Sequence, residues 1–161
     1  MKGQNLLKTN ALMIAAAVIL ALTLAFSVYY KNQLAKSESI IAELELDQSC
    51  DLHNEACSLN LPNGGRVSFS IEPRPIPLLQ TIQLKVDVES IEASAVTVDF
   101  QGTTMNMGLN RFGLKSTGAG SFQGTGALPV CIRNSMEWKA QVMIKTPDGV
   151  YIAPYTFVTQ K

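Results

Sequence analysis

A run of 20 residues, ALMIAAAVILALTLAFSVYY from Ala11 to Tyr30, contains no charge and no proline. Nothing else in the chain restricts its fold as strongly. A helix rises about 1.5 Å per residue, so a run of this length covers the roughly 30 Å of a bilayer's hydrocarbon core. The segment is expected to be a transmembrane helix. Lys2 and Lys8 precede it without an acidic neighbour, which keeps residues 1–10 in the cytoplasm. Tyr29 and Tyr30 fall where an aromatic belt meets the far headgroups, although Lys31 and Lys36 beyond them weaken the charge asymmetry. The competing reading is a cleaved signal peptide, whose apolar region of about 7–15 residues ends at a small-x-small site. Here Ala15–Ala17 lie inside the run and its far end reads FSVYYKN, so an uncleaved anchor is expected. Everything past residue 31 then lies in the periplasm of a bacterium, tethered to its inner membrane, where cysteines oxidise.

At 161 residues the chain has room for one modest domain and an appendage. Its 13 basic and 13 acidic residues balance, and no basic block stands out, so no nucleic-acid partner is expected. Residues 31–49 read as a helical stalk or linker, with Leu34, Ile41 and Leu44 on a rough stripe. From Cys57 onward the apolar period becomes two. CSLNL, PNGG and RVSFSI form a hairpin whose second arm turns Val67, Phe69 and Ile71 to one side. EPRPIP cannot sit in a central strand. TIQLKVDV turns Ile82, Leu84, Val86 and Val88 one way, and AVTVDF does the same with Val96, Val98 and Phe100. RFGLKS, GSFQGTGAL, SMEWKAQVMI and GVYIAPYTFV supply later strands, with Met136, Trp138, Ala140, Val142 and Ile144 sharing a face. About eight short antiparallel strands predict an all-β domain over residues 50–161, an immunoglobulin-like antiparallel β-sandwich.

The chemistry-bearing residues are few. His53 is the one histidine; no phosphate loop or HExxH motif occurs, and no Ser or Cys sits in an activated setting, so no enzyme is expected. Of Cys50, Cys57 and Cys131, two should pair, either Cys50 with Cys57 or Cys57 with Cys131. The sharper alternative makes Cys131, or the cluster Cys50, His53 and Cys57, a set of soft-metal ligands. TTMNMG (103–108) places Met105 and Met107 two residues apart. On a strand they would project to one side. Thioethers are soft, neutral ligands suited to Cu(I), and Met136 could add a third. The plainer reading is that all three fill an irregular end of the core. Met143 lies on the opposite face from Met136.

The combination of a short amino-terminal anchor, MNMG, the Gly118-x-Gly120 hairpin, ALP at 127–129 and MEW at 136–138 resembles the FixH-like and YtkA-like periplasmic domains. The resemblance covers roughly residues 66–160. It implies an immunoglobulin-like sandwich associated with cation or copper supply to respiratory oxidases. It maps Met105 and Met107 onto the family's methionine-bearing strand and Trp138 onto its core tryptophan. The expected function is that of a copper-binding or copper-delivering accessory protein, with Met105, Met107, Met136 and Cys131 as candidate ligands for Cu(I). A respiratory oxidase or copper chaperone would be its partner. A metal-free module docking on a membrane complex, and a thiol redox partner, are the alternatives.

Overall fold

The computed structural model describes residues 3–129 and 134–160, with side chains placed for 13–32 and from 39 onward. The chain divides into two compact units, residues 1–36 and 37–161. The first is helix α1, Gly3–Glu38. Its stretch Met13–Asn32 is long and apolar enough to cross a membrane, and all its side chains are exposed. The stretch is apolar all round.

The second unit is a nine-stranded half-barrel. Its strands are β1 (Ile40–Glu43), β2 (Cys57–Asn60), β3 (Arg66–Glu72), β4 (Thr81–Glu89), β5 (Ala95–Gly102), β6 (Arg111–Gly118), β7 (Ser121–Ala127), β8 (Ser135–Thr146) and β9 (Gly149–Gln160). They hydrogen-bond in the order β1-β9-β8-β5-β6-β7-β4-β3-β2. All neighbours are antiparallel except β1 and β9. The expected hairpin is present, with Asn60 opposite Arg66 and Gly64 at φ +84° in its turn. The alternation is present too: Val67, Phe69, Ile71, Ile82, Leu84, Val86, Val96, Val98, Phe100, Trp138, Val142 and Ile144 are all buried.

Strand β6 is the crease. Residues 111–114 pair with β5, and residues 115–118 pair with β7, with a shift in register between Ser116 and Gly118. The sheet folds there until strands far apart in its order touch. Tyr155 of β9 packs on Phe69 of β3 at a centroid distance of 5.3 Å, and its hydroxyl donates to Val67 O at 3.3 Å. Burial pushes the Tyr155 hydroxyl pKa up.

The helical stalk expected over 31–49 is shorter than its sequence suggested. The helix ends at Glu38, and Ile40–Glu43 is instead a strand of the domain. Val150 N donates to Ser39 O and Leu44 N donates to Ile152 O, each at 2.8 Å. The β-branched pair Ile40-Ile41 suits this extended backbone, and Ala42 and Leu44 pack on the core.

Strand β1 stops opposite Ile152, leaving the rest of the β9 edge uncovered. Alternation turns the nitrogen of Pro154 to the same side as the Ile152 carbonyl, outward past the end of β1. A proline there removes no ladder bond. Farther along, the open carbonyl of Val158 is taken by His53 Nε2 at 2.7 Å.

Candidate functional site: a methionine-lined hollow

Gly102 ends β5, opposite Trp138 of β8, which itself lies opposite Phe157 of β9. Phe157 is seven residues along β9 from Val150, where Ser39 joins the sheet. At about 3.3 Å per residue this places the site about 23 Å from the point where the chain enters the domain.

After Gly102 the chain leaves the sheet. The expectation of Met105 and Met107 on a strand is therefore corrected: residues 103–110 form the loop from β5 to β6. Local polar chemistry dictates this. Asn106 Oδ1 accepts from Gly108 N at 2.8 Å, and Gly108 takes φ +74°. Asn110 Nδ2 donates to Met107 O at 3.1 Å, and Phe100 N donates to Asn110 O at 2.9 Å. Thr103 ties the loop to β8, its N donating to Glu137 O at 3.1 Å and its hydroxyl to Glu137 Oε2 at 2.8 Å.

The loop brings the three methionines together. A β-carbon on Gly102 would overlap Met136 Cε, and would lie 2.5 Å from Met105 O and 3.1 Å from Met107 Cγ. Met136 approaches from the buried side, only 3% exposed, with the Thr104 hydroxyl 3.9 Å from its sulfur. Met105 and Met107 are half-buried, pack on the core, and line an open hollow of about 670 Å³. Asp99, Gln101 and Leu109 also line it.

The polar wall of this hollow is built on one carboxylate. Asp99 is 4% exposed, and its Oδ2 accepts from Arg111 Nη2 at 3.2 Å and Gln101 Nε2 at 3.1 Å. Gln101 Nε2 also donates to Gln141 Oε1 at 3.1 Å. Among the described residues no group of three or more His, Cys, Asp or Glu side chains is placed to hold a metal ion. The hollow therefore offers thioethers, which suit soft monovalent ions and neglect Zn, Ca and Mg.

The other candidates sort differently. Cys50 and Cys57 form a disulfide, which decides between the two pairings that the sequence left open. With both sulfurs bonded to each other, neither is a thiolate, so the Cys50-His53-Cys57 ligand cluster does not form here. His53 is occupied as well: its Nδ1 accepts from Ile76 N at 3.3 Å while Nε2 donates to Val158 O. The disulfide loop is a plug, with Leu52 fully buried and Arg74 Nη1 donating to Asn54 O at 2.9 Å. Cys131 lies outside the described residues. Met143 lies on the other face of β8, beside Ala95 and Thr97.

Sequence reasoning missed Gly102, Asp99 and Arg111. A signal for the last two was present: Asp99 and Arg111 bracket the methionine loop, as the two arms of one hairpin require of a cross-strand pair. Comparison with protein-family models, characterised proteins and solved structures finds no match.

Proposed function

We propose that this is a single-pass, inner-membrane-anchored periplasmic protein that binds or delivers Cu(I), serving respiratory oxidase assembly or copper homeostasis. One observation carries the reading. The Met105 carbonyl, the Met107 side chain and the Met136 methyl come from a loop and a distant strand, yet all close on Gly102, a position with no room for a β-carbon, and Met105 and Met107 line the hollow beside it. Ordinary core filling needs no open hollow beside it, whereas ligand exchange does. Met105 and Met107, with Met136 behind Gly102, would supply thioether donors that suit Cu(I) while staying neutral. The disulfide and the basic residues Lys2 and Lys8 before the apolar span support an extracytoplasmic domain. The crease at β6 and the Tyr155–Phe69 contact across the core support reading the half-barrel as an immunoglobulin-like sandwich.

The test is a Cu(I) titration of the full chain in detergent micelles under reducing conditions, against a chromogenic Cu(I) chelator. Stoichiometric binding is expected. Met105→Leu with Met107→Leu should weaken it at least about a hundredfold, with stability changed by less than about 1.5 kcal/mol, since the swap nearly conserves volume. Wild type that fails to compete with the chelator ends the copper reading. A metal-free docking module is the second reading, favoured by Leu79 and Leu109, which are 73% and 80% exposed. In that case altering Leu79 and Leu109 removes partner capture and metal has no effect.

A further inference from the structure

Neutral thioethers would leave a bound Cu(I) with its full positive charge. A charge held against protein walls is costly unless an opposite charge answers it. The hollow contains one candidate. Of the residues lining it, Asp99 alone carries charge, and it is almost wholly occluded, at 4% exposure. Its ion-pair partner is built differently. The Arg111 side chain is 49% exposed, does not line the hollow, and reaches only one carboxylate oxygen, Oδ2, at 3.2 Å. That same oxygen takes the Gln101 bond. A guanidinium seated on a carboxylate with both oxygens makes a bidentate fork; here the contact is single-pronged and its cation stands at the solvent side.

We infer that Asp99 and Arg111 set the charge selectivity of the methionine hollow: the carboxylate stabilises a bound monovalent cation, and the guanidinium opposes it from the rim. The inference rests on the copper reading and adds what that reading lacks, a reason for the hollow to prefer a cation over a neutral or anionic occupant. Softness of the sulfurs selects which metal binds. The pair selects its charge. Gln101, bonded to both Asp99 and Gln141, holds the carboxylate in place beside the half-exposed guanidinium.

The two members of the pair must then act in opposite directions. Two unit charges about 10 Å apart at an effective dielectric near 20 shift a binding equilibrium by roughly tenfold, less at high salt. Cu(I) affinity is measured by chelator competition on the full chain in micelles at about 20 mM and 500 mM salt. Asp99→Asn should weaken binding by roughly tenfold, and Arg111→Gln should tighten it by about threefold or more, both effects shrinking at high salt. A pair that serves only to hold the β5–β6 hairpin together would move affinity the same way from either side. Same-sign changes overturn the inference, as do two unchanged affinities in a wild type that binds Cu(I). If Asp99→Asn does not fold, Arg111→Gln decides alone, and failure to tighten is fatal. A wild type without Cu(I) affinity removes the copper reading first and this inference with it, an outcome distinct from the others.

Discussion

The two ends of the β unit are made by different chemistry. At one end lie the hairpin turns around Gly64, Gly118–Gly120 and Gly149, together with Ser39, where the chain enters. Those turns are short and closed locally, by backbone bonds and by side chains within the turn itself, such as Thr146 Oγ1 donating to Gly149 O at 2.9 Å and Thr117 Oγ1 to Ser121 O at 3.2 Å. Val88 N donates to Gly120 O at 2.9 Å, and a β-carbon on Gly120 would overlap Val88 O. At the other end lie the disulfide loop, the proline-rich connection after β3 and the methionine loop. These are held by side chains: His53 to Val158 and Ile76, Arg74 to Asn54, Thr103 to Glu137, Asn110 to Met107. Backbone turns close a sheet with few residues and leave little to vary. Side-chain ties can be rebuilt around a cargo while the strands stay in place, which is why function concentrates on such loops.

The strongest way to break this contrast is to remove the covalent tie at the side-chain end. Cys50→Ser with Cys57→Ser opens a closed loop of seven-residue separation, and the chain-entropy estimate for so short a loop is about 2.5 kcal/mol. Chemical denaturation of the variant should read that loss. No change in midpoint would mean that Leu52, His53 and Arg74 alone hold the plug.

One substitution made at both ends sharpens the contrast further. Gly149 has φ +146°, and a β-carbon there would overlap Ser39 O, so Gly149→Ala should cost about 2 kcal/mol through strain. Cu(I) binding should survive. Gly102→Ala, at a similar stability cost of about 1–2 kcal/mol, should instead abolish binding by pushing apart the Met136 methyl, the Met105 carbonyl and the Met107 side chain. Equal effects of the two variants on affinity would show that the ends are not independent.

The smallest effect concerns the contact that joins the folded halves of the sheet. Tyr155→Phe deletes a buried hydrogen bond to Val67 O and should cost about 1 kcal/mol. It should also change the alkaline limb. Burial raises the Tyr155 pKa in the folded state, so its contribution is complete below the unfolded value of about 10 and is lost as pH rises beyond it. Wild type should lose stability there by up to about 1.4 kcal/mol per pH unit. The phenylalanine variant should show a flatter limb.

Much of the hairpin-turn end was legible. Asn63-Gly64 announces its turn, and strict alternation in TIQLKVDV and MEWKAQVMI names the buried faces. Strand β1 was not. IIAELEL carries helix and strand signals together, and its partner β9 lies more than a hundred residues away in parallel pairing, which no local pattern encodes. The methionine loop was read as a strand because M-x-M matches period two; Asn106 and Gly108, both turn formers, override it. The meeting of Met136 with Met107 depends on the register that puts Gly102 opposite Trp138. Register follows from turns and packing together, so the three methionines could be named in advance but their approach to Gly102 could not.

The outer rim of β9 has a bearing on crowding. Molecules held to a surface by a lipid-soluble helix are confined to two dimensions, and bare strand rims at such density invite runaway zippering into fibres. Here the parallel four-residue cover, the outward imide nitrogen of Pro154 and the imidazole clasp of His53 leave no long rim for a neighbour to copy. The opposite rim, Cys57–Asn60, is four residues long and ends in a covalent ring. On the anchored reading proposed above, such a chain can be abundant at a membrane and stay dispersed.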